Sequence, residues 1–165
     1  MLHQMAAIMT KITQAEIFSL LQPTPKQIEL FRAALAFRKQ RVITEVLVVE
    51  DQLFSRRILW GLLKQSYQTH LAADAKEAWS MYLMFAPDVV FLDIELPDID
   101  GHRLFQFLKA IDPEAYIVMV TANNYALDVA TAIENGAKGF IVKPYNKEKI
   151  IGAIAKFQQQ PKSSS

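Results

Sequence analysis

The chain of 165 residues has no cysteine, few glycines and only three histidines. Without cysteine it can form no disulfide, no thiolate metal site and no cysteine nucleophile. His3, His70 and His102 stand alone, and none has a second ligand residue one helical turn further on, which disfavours a histidine metal site. A glycine-rich GxxxxGK[ST] loop for nucleotide phosphates is also missing. These absences disfavour thiolate and histidine metal sites and a nucleotide-binding phosphate loop.

Long apolar runs are missing as well, because no stretch reaches the roughly 18 residues that a membrane-spanning helix needs. The first residues, MLHQMAAIMTKI, carry no basic region before their short apolar patch, which disfavours a secretory signal. With 52% hydrophobic and 21% charged residues, the composition is that of a folded chain and not of a disordered one. We therefore expect a soluble, cytoplasmic protein with no membrane partner.

The charge is distributed unevenly along the chain. Residues 1–44 carry six Lys or Arg against two Glu, a net charge of +4, whereas residues 45–157 have a net charge of −4. The sequence therefore predicts an N-terminal helical extension at 1–44, a main domain at 45–157 and a flexible tail at 158–165. The cations of the extension are scattered over a helix-like stretch whose other face is apolar, which disfavours a nucleic-acid partner.

Four short apolar runs, EVLVVED, DVVFLD, YIVMVT and KGFIVK, each end in polar residues. They are too short for helices and apolar on both alternating faces, as in strands buried on both sides of a parallel sheet. Helical patterns separate them, and a weaker strand pattern adds a fifth unit. The predicted strands are 45–50, 68–72, 88–93, 116–121 and 139–142. The predicted helices between and after them are 53–65, 75–85, 102–111, 124–135 and 146–157.

Five strand–helix units with right-handed crossovers predict an α/β fold, a doubly wound five-stranded parallel sheet. The flavodoxin-like strand order 2-1-3-4-5 is the commonest arrangement at this size. Two capping patterns precede the sheet, one at Thr13 with Glu16 and one at Thr24 with Gln27. We therefore predict an N-terminal helical hairpin at residues 12–41.

In that strand order strands 1 and 3 are neighbours, and ligands bind just beyond the carboxyl ends of such strands. Five polar side chains occupy the strand tips: Glu50, Asp51, Asp93, Thr121 and Lys143. Three crowded carboxylates repel one another unless a cation lies among them, and oxygen-only ligands favour Mg²⁺. A phosphoryl group fits such a site, with Asp93 as the nucleophile, Lys143 pairing with phosphoryl oxygens and Thr121 donating a hydrogen bond.

Over residues 45–157 the chain resembles the receiver domain of response regulators in two-component signalling. The motifs that carry the resemblance are Glu50-Asp51, FLDIELPDIDG, Thr121-Ala122 and Lys143-Pro144. The resemblance implies a stand-alone receiver of the chemotaxis type. Such a receiver is a signalling switch that catalyses only its own phosphoryl transfer and dephosphorylation and changes its affinity for a downstream partner.

The resemblance also implies roles for individual residues. It assigns Mg²⁺ to Glu50, Asp51, Asp93 and the backbone carbonyl of Glu95, with Asp93 accepting a phosphoryl group from a histidine kinase or phosphotransfer protein. Phe140 matches the switch aromatic, which turns inward when the Thr121 side chain moves toward the phosphoryl group. Glu95 and Asn123 occupy the two positions that flank the path of the hydrolysing water and tune dephosphorylation.

Two alternative functions remain open. One is a receiver-like scaffold or assembly module that acts through its N-terminal helices. The other is an aspartyl-phosphate phosphatase, because Asp93-x-Glu95 resembles the Asp-x-Asp signature of the haloacid dehalogenase type. In this chain the second Asp is replaced and the motif lies on the third strand instead of the first, which disfavours the phosphatase.

The second N-terminal helix has an apolar face that spans about half of its circumference. It carries Ile28, Leu30, Phe31, Leu35 and Phe37. Two short helices cannot bury enough apolar area to fold alone, so this face must cover another surface. Because a receiver already covers both faces of its sheet with its own helices, we predict that residues 12–41 pair with a second subunit in a homodimer. Docking on the chain's own receiver is the alternative.

Overall fold

The computed structural model describes residues 13–122 and 126–161. Two helices come first, α1 (Gln14–Leu20) and α2 (Pro25–Arg38), and five strand–helix units follow. The units are β1 (Glu45–Val49), α3 (Leu53–Leu63), β2 (Gln68–Ala72), α4 (Ala75–Phe85), β3 (Val89–Asp93), α5 (Gly101–Ile111), β4 (Ile117–Thr121), α6 (Ala126–Glu134), β5 (Gly139–Val142) and α7 (Lys147–Gln158). In the described ranges no helix is both long and apolar enough to cross a bilayer.

For the five strand–helix units these bounds agree with the predicted ones to within two residues wherever both can be compared, whereas α2 ends three residues before the predicted hairpin does. Residue 12 of the predicted hairpin, residues 124–125 of the predicted sixth helix and residues 162–165 of the predicted tail lie outside the described residues. Side-chain caps explain several of the helix starts. Thr24 and Gln27 form a complete capping box before α2, and Asp74 and Asn146 accept backbone hydrogen bonds at the starts of α4 and α7.

The five strands form one parallel sheet in the order β2-β1-β3-β4-β5, which confirms the predicted fold. Val49 of β1 is in register with Leu92 of β3, so the residues that follow them reach the same edge of the sheet. Thr121 of β4 is likewise in register with Val142 of β5. Every residue of β3 and β4 is buried, as expected for central strands covered on both faces.

Each face of the sheet packs against its own layer of helices. One core, which contains Leu92 and Met119, lies against α4, α5 and α6. The other core, which contains Phe91 and Ile154, lies against α3 and α7. Neighbouring residues of one strand enter opposite cores because side chains alternate across a sheet. The strands are thereby fixed from both sides, and their carboxyl ends form a rigid edge.

Helix α2 and Leu21, the residue after α1, belong to the first of these cores. Leu21 and Phe31 are buried within it, and α2 packs along the outer side of α4. The Phe31 ring lies with its centroid 6.0 Å from that of Tyr82. The prediction that this apolar face awaits a second subunit is therefore wrong for its inner stripe. The face covers the chain's own receiver, because α4 presents apolar side chains outward as well as toward the sheet.

Polar contacts fasten the end of α2 and the turn after it near the C-terminal end of α4. Arg38 donates a 2.9 Å hydrogen bond to Asp112, whose same oxygen accepts a 2.7 Å hydrogen bond from the Tyr82 hydroxyl. Arg41 donates to three acceptors at the end of α4: Phe85 O at 2.8 Å, Ala86 O at 3.1 Å and Asp88 Oδ2 at 3.0 Å. The contacts of Arg41 with Phe85 O and Ala86 O satisfy carbonyl groups that the last turn of a helix leaves without partners.

Apolar side chains stay exposed on both sides of the packed stripe of α2, with Ile28 on one side and Leu30 and Phe37 on the other. Ile28, Leu30 and Phe37 have relative accessibilities of 38%, 44% and 62%. Their positions next to the packed stripe explain why the sequence indicated an apolar face wider than one helix contact requires.

Candidate functional site

Three carboxylates come together at the carboxyl edge of the sheet. Glu50 and Asp51 follow β1, and Asp93 is the last residue of β3. One oxygen of each lies within 4.8 Å of the other two. Glu50 and Asp93 are buried, whereas Asp51 is exposed. The neighbouring register of β1 and β3 brings together the three acids that the sequence placed at separate strand ends.

Lys143, the first residue after β5, lies between two of these acids. Its Nζ donates to Glu50 Oε2 at 2.6 Å and to Asp93 Oδ2 at 2.7 Å. The hydroxyl of Tyr145 donates to the same Glu50 oxygen at 2.7 Å. An ammonium group shared by two buried carboxylates offsets part of their mutual repulsion and holds them at a fixed separation.

The protonation equilibria of the cluster follow from burial and these contacts. Burial acts to raise the pKa of Glu50, but hydrogen bonds from Lys143 and Tyr145 outweigh it and lower the pKa. Burial raises the pKa of Asp93, and Lys143 offsets this only in part. Burial and then Glu50 raise the pKa of Asp51. Burial opposes the charge of Lys143, yet its two carboxylate partners raise its pKa, so the ammonium stays charged.

The loop after β3, residues 94–100, folds tightly against the end of the strand. Glu95 N donates to Asp93 Oδ1 at 3.0 Å, and Gly101 N donates to Ile94 O at 2.8 Å. A Cβ at Gly101 would collide with the Asp93 carbonyl oxygen and lie 2.7 Å from the Ile94 Cα. Only glycine therefore allows α5 to begin this close to Asp93. The Glu95 side chain is exposed, beside the rim of the cluster.

Thr121 and Phe140, the two residues predicted to form the switch, lie on the neighbouring strands β4 and β5. Thr121 is buried, and its carbonyl accepts a 2.7 Å hydrogen bond from the backbone N–H of Lys143. Phe140 is half-buried and packs against the core under α4, α5 and α6. A short stretch of paired backbone thus connects Thr121 with both Lys143 and Phe140. Asn123, the second residue predicted to tune dephosphorylation, lies outside the described residues.

Two further residues support the cluster without having been predicted. Arg56 donates from one guanidinium nitrogen to the carbonyls of Glu50 at 2.8 Å and Asp51 at 2.7 Å. Tyr145 reaches Glu50 as described above. Tyr145 stands two residues after the strand-end Lys143, and this position was a usable signal. Arg56 was indistinguishable from any other arginine on a predicted helix.

A 2-1-3-4-5 parallel sheet with an acidic pocket and a lysine at its carboxyl edge defines a receiver of the two-component signalling type. The family model described as response regulator receiver domain matches residues 46–155. The chain therefore belongs to the response regulator receiver family, whose members work as phosphorylation-dependent signalling switches. Receiver domains bind Mg²⁺ at an acidic pocket, and the carboxylate oxygens of Glu50, Asp51 and Asp93 are ligands that suit this hard cation.

Relatives in sequence and in structure agree with this assignment. The chain is 35% identical over 116 residues to the protein CcdB of Bacillus subtilis, covering 69% of this chain and 97% of that protein. It is 35% identical over 115 residues to the chemotaxis protein CheY of Listeria monocytogenes, covering 68% and 96%. The structure is similar to a chain of the CheX-CheY-BeF3-Mg²⁺ complex of Borrelia burgdorferi, with a TM-score of 0.68, 28% identity and coverage of 71% and 90%.

Proposed function

We propose that this chain accepts a phosphoryl group on Asp93, with Mg²⁺ held by Glu50, Asp51, Asp93 and the backbone carbonyl of Glu95. The observation that carries the proposal is the placement of Asp93. It is the one carboxylate of the cluster that ends a central strand, and it contacts Lys143 through one oxygen and Glu95 N through the other. The donor is a phosphohistidine of a histidine kinase or of a phosphotransfer protein. The Borrelia complex to which this chain is similar contains BeF3 and Mg²⁺ together with CheX and CheY, which supports a Mg²⁺-dependent site here.

The transfer requires the side chains at this edge, bound Mg²⁺ and a phosphoryl donor. An oxygen of the Asp93 carboxylate attacks phosphorus, the P–N bond of the phosphohistidine breaks, and the leaving imidazole nitrogen keeps the electron pair and takes up a proton. When bound, Mg²⁺ supplies positive charge that offsets the charge on the transferring oxygens. The Lys143 ammonium pairs with an oxygen of the new acyl phosphate, which replaces part of its contact with Asp93.

The signal leaves the site through β4 and β5. The Thr121 hydroxyl donates a hydrogen bond to the phosphoryl group, and Phe140 turns inward as the Thr121 side chain moves. Phosphorylation then stabilises one of two arrangements, since the new contacts exist only in that one. The exposed side chain of Glu95, together with Asn123, tunes the lifetime of the acyl phosphate by its position beside the path of the attacking water.

The test of the acceptor is labelling with a radioactive low-molecular-weight phosphodonor in the presence of Mg²⁺. Asp93→Asn keeps the shape of the side chain but removes its nucleophilic charge, so the variant should fold and fail to label. Asp100→Asn is the matched control because Asp100 lies in the same loop and accepts a hydrogen bond from His102 N. Equal labelling of Asp93→Asn and the parent chain would refute the assignment.

A second candidate function is an assembly module that acts through the N-terminal helices, with a homodimer as its simplest form. The observation in its favour is the exposed apolar stripe of α2 that contains Leu30 and Phe37. Replacing Leu30 and Phe37 by Glu would place two charges in such an interface without touching the packed stripe. Sedimentation of the parent chain and of this double variant tests the idea. If the parent chain already sediments as a monomer, self-association through this stripe is wrong.

A further inference from the structure

Two carboxylates cap the same end of α4, and they come from different parts of the chain. Asp74, the residue before the helix, accepts a 2.7 Å hydrogen bond from Glu77 N, as an ordinary N-cap does. Asp98 lies in the loop after β3. Its two oxygens accept from Ala75 N and Lys76 N, both at 2.9 Å. Asp98 thus takes up the first two free N–H groups of a helix to which it does not belong.

These contacts fasten the loop that begins at the phosphoacceptor. At its start the loop is held by the hydrogen bond from Glu95 N to Asp93, and at its end by the close approach of Gly101 to the strand. Asp98 adds an anchor between these two points, on a neighbouring helix. Ile99, the next residue, is buried in the core, so two adjacent residues of the loop are held by the rest of the protein.

The partner of this anchor is itself held in place. The first turn of α4 is fixed to the sheet by its buried residue Ala75, and the outer side of the helix is covered by α2. An anionic group at a helix N-terminus is stabilised both by the unpaired N–H groups and by the helix dipole. The loop after β3 is therefore tied to a rigid element and not only to its own strand.

We infer that Asp98 is a positioning residue for phosphorylation, since it holds the loop that carries Glu95 against the N-terminus of α4. The inference rests on the proposed function, in which the Glu95 carbonyl is a Mg²⁺ ligand and Asp93 is the acceptor. Without the anchor the loop keeps its two ends but gains freedom between them. The position of the Glu95 carbonyl then varies, and both Mg²⁺ affinity and the rate of phosphorylation fall.

The test compares Asp98→Ala with Asp74→Ala. Each variant removes one carboxylate cap from the same helix end, and only the first releases the loop. The Mg²⁺ dissociation constant is measured by calorimetry, the phosphorylation rate by labelling and the stability by urea denaturation. We expect both variants to lose stability to a similar extent. Asp98→Ala should bind Mg²⁺ about tenfold more weakly, as is typical when support of a metal ligand is removed, and Asp74→Ala should match the parent chain.

Asp98→Asn serves as a second variant, since it keeps one acceptor oxygen for one of the two N–H groups and should fall between Asp98→Ala and the parent chain. Unchanged Mg²⁺ affinity in Asp98→Ala would overturn the inference. Equal weakening in Asp74→Ala would overturn it too, because helix capping alone would then explain the effect. Absence of labelling in the parent chain would overturn the proposed function instead. The comparison of Mg²⁺ dissociation constants needs no phosphodonor, so it tests the role of Asp98 even if labelling fails.

Discussion

Arg38 of the second N-terminal helix donates a 2.9 Å hydrogen bond to Asp112, 74 residues away at the end of α5. The Asp112 carboxylate is buried and also accepts a hydrogen bond from the Tyr82 hydroxyl on α4. Three helices thus meet at one carboxylate. A buried charge with two donors is stabilised, and the removal of either donor leaves it poorly compensated. The second N-terminal helix therefore packs on helices α4 and α5 of the same chain.

The two phenylalanines of α2 should respond very differently to truncation. Phe31 is 7% exposed and packs against Tyr82, whereas Phe37 is 62% exposed. Phe31→Ala should lower the free energy of unfolding by about 3 kcal/mol, the low end for a buried phenylalanine. Phe37→Ala should change it by less than about 0.5 kcal/mol, as for most surface substitutions. Urea denaturation measures both. Equal values for the two variants would contradict docking of α2 on α4.

The burial of Tyr82 should make the free energy of unfolding fall at high pH. Burial and then the Asp112 charge raise the pKa of Tyr82 above its ordinary value, while Arg38 partly opposes this. In the unfolded chain the hydroxyl ionises near pH 10, but in the folded chain it stays protonated. The folded state therefore binds the extra proton, and stability is full below about pH 10 and falls as the pH rises above it.

The size of this effect is about 1.4 kcal/mol per pH unit for one group. The difference in unfolding free energy between the parent chain and Tyr82→Phe, followed by urea denaturation from pH 9 to 11, isolates it from the other tyrosines. The parent chain should lose stability faster than the variant above pH 10. Parallel pH profiles would show that Tyr82 titrates as it does in the unfolded chain.

Mg²⁺ binding should depend on the Asp51 side chain but hardly on that of Glu95. Asp51→Ala removes a carboxylate ligand, whereas Glu95→Ala keeps the backbone carbonyl that we propose as a ligand. Calorimetric titration should show at least about a tenfold loss of affinity in Asp51→Ala, since the charge and number of ligands set the affinity of such sites. Glu95→Ala should stay close to the parent chain. A reversed order of the two variants would remove Asp51 from the ligand set.

Lys143→Ala should separate metal binding from signalling. The Lys143 ammonium already occupies part of the space between Glu50 and Asp93, at 2.6 and 2.7 Å from them. Without it the carboxylates lose a competing cation, so Mg²⁺ should bind at least as tightly as in the parent chain. The conformational response to phosphorylation should be lost. A variant that bound Mg²⁺ clearly more weakly would show that Lys143 organises the ligands and does not compete with the metal.

Thr121→Ala should still accept a phosphoryl group on Asp93, but the conformational response to phosphorylation should be weaker. Its backbone pairing with β5 does not need the hydroxyl, so the fold should persist, and Thr121→Ser provides a control that keeps the hydroxyl. NMR spectra of β5, recorded with and without a phosphodonor, should show a reduced shift of Phe140 in the alanine variant. In the serine variant the shift should resemble that of the parent chain. An undiminished shift in Thr121→Ala would place the coupling elsewhere.

The sequence was sufficient for the sheet and for the position of the acidic cluster. Strands buried on both faces have continuous apolar runs, and the carboxyl ends of parallel strands share one edge of the sheet. The pattern alone therefore places Glu50, Asp93 and Lys143 at that edge, where the structure has them. The contact of Lys143 with both acids depends on side-chain geometry across 93 and 50 residues of chain, which periodicity does not contain.

The sequence did not predict that α2 packs on α4, and the reason lies in the composition of α4. The segment AKEAWSMYLMF supplies buried residues toward the sheet and also Tyr82 toward α2. Its apolar residues cover more of the circumference than one sheet contact needs, which was a signal that this helix lacks a free outer face. The prediction treated the receiver as complete without the extension. The broad apolar face of α2 was therefore assigned to another subunit.

Gly101 has no reactive atom, yet its missing side chain limits which residues can stand beside Asp93, the proposed acceptor. Any replacement adds a Cβ, and even alanine would have to displace the end of β3 or the first turn of α5. In a library of all single substitutions selected for phosphorylation, this position should tolerate as few residues as Asp93 itself. Glycines 61 and 152 have open space at the Cβ position and should accept many. A position that tolerates few substitutions near this site can therefore be constrained by steric fit and need not take part in phosphoryl transfer.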